Sequence, residues 1–95
     1  MTEQTFQGLA KNAVVRYYNE NLSDHTVKNN ITTNDVYIVW MVRVLQNNKA
    51  LLSTTVNDDR YYEFTVNGDK REGYLDVYQK EKNEVISIPI EHFFD

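Results

Sequence analysis

The sequence has 95 residues, a net charge of −4 at pH 7, 13% aromatic residues and no cysteine. That length supports one hydrophobic core, burying roughly 60–65% of the unfolded surface, and the missing thiols exclude a disulfide framework and any thiolate metal site. The charge is uneven: residues 1–50 carry five bases against four acids, net +1, while residues 51–95 carry five bases against ten acids, net −5, a balance that disfavours direct binding to nucleic-acid phosphates.

In chain order, residues 5–22 predict the one helix. Phe6, Leu9, Ala10, Ala13, Val14, Tyr17 and Tyr18 recur at three- and four-residue spacing, with Lys11, Asn12, Arg16 and Glu20 largely opposite. Thr2 or Thr5 is placed to cap its first turn, and Glu3 favours the positive end of the helix dipole. Residues 21–34 are polar and read as a crossing loop that Ile31 pins to the core.

The pattern then changes to β. Residues 36–45 are nearly all β-branched, aliphatic or aromatic, broken only by Arg43. Asn47-Asn48 reads as a hairpin turn, because asparagine tolerates positive φ. Residues 50–56 form the return strand, and Asn57-Asp58-Asp59 the next turn. Residues 60–66 and 72–78 form two further strands around the strong turn signal Asn67-Gly68-Asp69. Val85 to Ile88 reads as a last short strand ending at Pro89, which lacks a donor N–H. The expectation is an α+β single domain over residues 1–95: an N-terminal helix on a four- to five-stranded antiparallel meander sheet spanning about residues 35–90.

Two-residue turns place opposed residues on a common face, and alternation carries that face along each strand. One face then collects Val36, Ile38, Trp40, Val42, Val44, Leu51, Tyr62, Phe64, Val66, Leu75 and Val77, and is expected to pack on the helix. The other collects Tyr37, Val39, Met41, Arg43, Leu45, Ala50, Leu52, Val56, Tyr61, Glu63, Tyr74, Asp76 and Tyr78. One helix covers one face, so the second is left too apolar to meet only water. A homodimer through that face is expected, with Tyr37, Val39, Met41, Leu52, Tyr61, Tyr74 and Tyr78 as the interface and Met41, Leu52 and Tyr61 near its centre. A Leu52→Glu variant should then be monomeric. Ile86, Ile88, Ile90, Phe93 and Phe94 are an alternative cover from within the chain.

Catalytic chemistry has little support. Ser23, Ser53 and Ser87 lack a nucleophile elbow, and the histidines His25 and His92 stand apart, without a metal-ligand spacing. No cofactor, metal or catalytic residue is expected. Arg43, Glu63 and Asp76 form the one polar cluster with a geometric argument, two carboxylates on neighbouring strands among tyrosines. Such a pair can do acid/base work or simply border an apolar interface. The acidic half permits a further alternative, an inhibitor that imitates nucleic acid through a rim of Asp58, Asp59, Asp69, Glu72, Glu81 and Glu84. The first residues lack the basic-then-apolar order of a signal peptide, and no apolar run approaches the ~20 residues that span a bilayer. A cytoplasmic protein without membrane contact is the expectation.

The segments VVRYYNE, DVYIVW, LQNNKALLSTTV, YYEFTVNGDK and YLDVY together resemble a family of small proteins of unknown function encoded by phages and prophages of Gram-positive bacteria. The resemblance runs over about residues 10–78, with LQNNKALLSTTV and NGDK its most specific parts. It implies a setting in the bacterial host and no site; a non-enzymatic accessory role exerted on a host or phage protein is the expectation, with a small-ligand binder or enzyme using the Glu63/Asp76 face as an alternative. The resemblance carries over no catalytic residue. The helix-then-meander order also resembles the cystatin-like outline. Residues 46–50 (QNNKA) do not supply the Gln-x-Val-x-Gly inhibitory loop of cystatins.

Overall fold

A computed structural model of the protein describes residues 1–23, 29–56 and 58–95. The loop residues 24–28, His25 among them, and Asn57 of the expected second turn lie outside the described residues. The elements are α1 (Glu3–Asn21), β1 (Val36–Val44), β2 (Asn47–Thr54), β3 (Arg60–Asn67) and β4 (Glu72–Gln79), and the four strands form one antiparallel sheet in the order β1-β2-β3-β4. The architecture is α+β, one N-terminal helix on an open four-stranded sheet.

Helix α1 starts where Thr2, in extended conformation, accepts the Thr5 N–H on its hydroxyl at 3.0 Å, satisfying a donor the first turn leaves orphaned. Phe6, Ala10 and Val14, one turn apart, are its buried stripe. Phe6 meets Phe64 at a ring separation of 6.0 Å, and Tyr17 meets Tyr62 edge-on at 6.3 Å. At the far end, Asn19 holds the returning chain by a two-way bond. Its Oδ1 accepts the Ile31 N–H at 2.8 Å and its Nδ2 donates to the Ile31 carbonyl at 3.0 Å. Ile31 is thereby buried, as its apolar character among polar neighbours suggests.

The sheet register departs from the expected one in three places. The first turn is Leu45-Gln46, not Asn47-Asn48, because Val44 pairs with Asn47. The asparagines are used elsewhere: Asn47 Oδ1 accepts the Gly68 N–H at 3.3 Å, and Asn48 is buried. Leu45 takes a φ of 56° there with its side chain 86% exposed. An L-residue in that region carries a steric cost of about 1–2 kcal/mol, so Leu45→Asn should raise stability by about 0.5–1 kcal/mol, read as a higher urea midpoint with an unchanged slope.

Second, β1 has a bulge. Ile38 pairs with Leu52 and Trp40 with Leu51, leaving Val39 as an extra residue. Beyond a bulge the alternation of faces reverses, so Val36 and Ile38 point to the helix while Trp40, Val42 and Val44 point away. Third, β2 ends at Thr54, so five residues separate it from Arg60 in place of the expected three-residue turn. Leu52 therefore pairs with Tyr62 and Ala50 with Phe64. A one-residue slip moves a whole strand to the other face, and β2 accordingly turns Ala50, Leu52 and Thr54 into the core.

The core beneath α1 comprises Val36, Ala50, Leu52, Tyr62, Phe64 and Val66, with Ile38, Met41, Leu75 and Val77 packed at its edge. Ala10 and Ala50, both fully buried, let the helix lie close to the sheet. Tyr62 is also fully buried, and its hydroxyl donates to Asp58 Oδ2 at 2.5 Å. The same Asp58 carboxylate accepts the Arg60 N–H through Oδ1 at 3.1 Å, which closes the β2–β3 loop over the end of the core.

Burial first, then the Asp58 hydrogen bond and charge, raises the Tyr62 phenol well above its ordinary value of 10.0. A raised folded-state value means that the native protein holds this proton more tightly than the unfolded chain. The stabilisation is complete below pH 10 and falls away as pH rises beyond it. Tyr62→Phe should cost about 1.5–3 kcal/mol at neutral pH, the range for a hydrogen bond to a charged group. The variant should also lose less stability than wild type between about pH 9 and pH 11.5, measured by urea unfolding at each pH.

No fifth strand forms among the described residues. Residues 80–89 run without regular structure, and Ile90–Phe94 makes a short 3₁₀ turn after Pro89. Residues 80–95 are exposed throughout, so Val85, Ile86, Ile88, Phe93 and Phe94 stand in solvent as an apolar arm. The arm accounts for a radius of gyration of 16.0 Å against about 12 Å for a compact chain of this length.

Candidate docking surface

The sheet face away from α1 is bare. Alternation sends Tyr37, Trp40, Val42 and Val44 of β1 to it, Lys49, Leu51 and Ser53 of β2, Tyr61, Glu63 and Thr65 of β3, and Tyr74, Asp76 and Tyr78 of β4. Trp40, Val42 and Val44 are 44%, 47% and 59% exposed. Side by side with Tyr37 and the bulged Val39, they give β1 a continuous apolar stripe. Tyr74 and Tyr78 give β4 an aromatic one, and Leu51 and Tyr61 are half-buried between the two.

Of the residues expected at an interface, Tyr37, Tyr61, Tyr74 and Tyr78 lie on this face, and Val39 is exposed at the bulge. Met41 and Leu52 do not. Leu52 is fully buried under the helix, and Met41 packs at the core edge, where the Gln7 amide approaches its sulfur at 3.8 Å. The residues that take their place are Trp40, Val42, Val44 and Leu51.

The expected polar cluster is divided in the same way. Glu63 and Asp76 are brought together, directly opposed across β3 and β4 rather than diagonal. Arg43 is not with them: it pairs with Asn48 on the helix side and borders the cavity beside Glu3 and Phe6. The cation at the carboxylates is Lys49, with Nζ 3.2 Å from Glu63 Oε1. Opposed like charges destabilise a strand pair, and a diagonal opposite charge offsets this. The trio therefore reads as a register-fixing pair with a spare carboxylate at the rim of an apolar face. That Lys49–Glu63 complementarity was the available signal for the true β2–β3 register.

The rim has further contacts. Lys80 Nζ lies 5.4 Å from the Tyr61 ring centroid, a cation–π arrangement. The Tyr74 hydroxyl donates to a Glu72 carboxylate oxygen, a bond that raises the Tyr74 phenol above its ordinary value. Four of the acids proposed for a mimicking rim lie at opposite ends of β3. Asp58 and Asp59 precede β3 while Asp69 and Glu72 follow it, so a strand of about 26 Å separates the two groups. Glu84 pairs with Lys82 at 3.5 Å. Among the described residues, no three His, Asp or Glu side chains are grouped to hold a metal ion, and no helix is long and apolar enough to cross a membrane.

Compared with known proteins, the chain matches the family of unknown function DUF6275 over residues 7–88. The chain belongs to this family. The match takes in α1 from residue 7 onward and all four strands, so the bare sheet face lies wholly within the family region, and residues 89–95 of the apolar arm fall outside. No curated protein and no solved structure matches the chain.

Proposed function

We propose that this protein is a non-enzymatic accessory protein of phages or prophages of Gram-positive bacteria, acting in the host cytoplasm through protein–protein contact. Its working surface is the bare sheet face, and the first occupant of that face is a second copy of the chain. The observation that carries the reading is the exposed stripe of Trp40, Val42 and Val44 beside Tyr37, Tyr74 and Tyr78. Tryptophan and tyrosine give large contact area at low entropic cost and dominate binding energy at interfaces, and apolar patches of this extent mark interaction sites. The phage setting rests on the resemblance of LQNNKALLSTTV and NGDK described above.

Four strands of eight or nine residues span about 19 by 26 Å. Two such faces together bury on the order of 1,000 Å², the lower edge of specific interfaces. The arm carrying Ile86, Ile88, Phe93 and Phe94 supplies further apolar area to the same assembly. Affinity capture from lysogenic host extract tests the accessory role. Wild-type protein should retain a defined host or phage protein that a Trp40→Glu, Val42→Glu bait does not. Equal capture by both baits, or by neither, would remove the bare face from the function.

A further inference from the structure

On the opposite side of the sheet, two cavities open beside the first turns of α1. One of about 300 Å³ is bordered by Glu3, Phe6, Met41 and Arg43. The other, about 380 Å³, has Leu9, Phe64 and Val66 as its apolar wall and Arg43, Arg71 and Glu72 at its mouth. Asn48 borders both. Asn48 is only 7% exposed. An amide at that place offers both a donor and an acceptor to a bound polar group.

The charges around the cavity point to the sign of that group. Arg43 and Arg71 take part in no ion pair among the described residues, whereas Arg16 pairs with Glu20 and Lys49 with Glu63. The nearby acids are Glu72, whose carboxylate accepts the Tyr74 hydroxyl, and Glu3, which borders the first cavity together with Arg43; neither forms an ion pair with Arg43 or Arg71 among the described residues. Two free guanidinium forks above an apolar wall therefore stand out in a chain of net charge −4. The cavity volume is that of small-molecule sites, which combine an apolar lining with a few convergent polar groups.

We infer that this cavity binds a small amphipathic organic anion, with its carboxylate or phosphate head between Arg43, Arg71 and the Asn48 amide and its apolar body on Leu9, Phe64 and Val66. Guanidinium forks match both head groups in two-point geometry. The site is on the far side of the sheet from the docking surface, so occupancy leaves the Trp40 face free.

The test is a nitrogen-15 NMR titration of the full chain with octanoate, phenyl phosphate, inorganic phosphate and octyltrimethylammonium. Octanoate or phenyl phosphate should give saturable shifts of the Asn48 side-chain amide and of the Arg43 and Arg71 Nε–H signals, and the arm that saturates identifies the head group. Arg43→Met and Arg71→Met should each weaken that binding about tenfold or more, with unfolding midpoints matching wild type. Arg16→Met, remote from the mouth, should not. The proposal is overturned by any of three results: no saturable shift up to about 10 mM anion, equal shifts from the cationic probe, or equal affinity for inorganic phosphate and phenyl phosphate.

Discussion

Leu52→Glu is expected to unfold the protein rather than to split a dimer. Leu52 is fully buried, flanked in register by Ile38 on β1 and Tyr62 on β3, with α1 above. The substitution loses about 2 kcal/mol of side-chain burial and places a carboxylate where no cation waits, at a cost of several kcal/mol more. Together these reach the 5–15 kcal/mol that hold a typical domain. Circular dichroism at neutral pH should show loss of both helix and sheet signal, while Leu52→Met, which conserves volume, should cost less than about 1.5 kcal/mol. A folded Leu52→Glu protein with wild-type unfolding behaviour would place Leu52 on the bare face and overturn the register described here.

The second large effect concerns association. Trp40→Glu combined with Val42→Glu should leave the fold within about 1 kcal/mol of wild type, since both side chains already meet solvent on the side away from the helix. Dimerisation should weaken at least about 100-fold, or roughly 2.7 kcal/mol, because interface tryptophans are commonly dominant and four carboxylates would meet across the two-fold axis. The two predictions are complementary: one residue expected at the interface proves structural, and two residues expected in the core prove to be surface.

That exchange shows which parts of the fold are legible in the sequence. The helix is, because Phe6, Ala10 and Val14 repeat at helical spacing over many residues; it begins two residues earlier than periodicity alone suggests, at the Thr2 cap. The strands are legible too, because β-branched and aromatic runs are separated by turn residues. Face assignment is not, because it depends on parity, and every odd loop or bulge inverts it. Val39 is one of four valines in β1, and nothing in its chemistry marks it as the extra residue. The Asn47-Asn48 turn fails because asparagine is equally useful as a side-chain partner, and Asn47 serves Gly68 in that way.

Gly68 itself is required there, since a Cβ would come within 2.3 Å of the Gln46 carbonyl oxygen; the two hairpin ends are fitted together. The fifth strand fails for a different reason. Val85 to Ile88 have the composition of a strand, but the charged residues 80–84 lead the chain away from the β4 edge, and a strand without a neighbour has no ladder to join. The candidate site was legible as a kind of surface, tyrosine-rich and apolar, and four of its tyrosines were identifiable individually. Its centre was not, because Trp40, Val42 and Val44 look like core until the bulge is known.

Sedimentation equilibrium of the wild-type chain beside the Trp40→Glu, Val42→Glu variant, at tens of micromolar protein, is the most direct test that the bare face is a working interface. The account predicts a mass near twice 11.2 kDa for wild type and near the single-chain mass for the variant. A wild-type protein that sediments as a monomer, or a variant that remains dimeric, would contradict it.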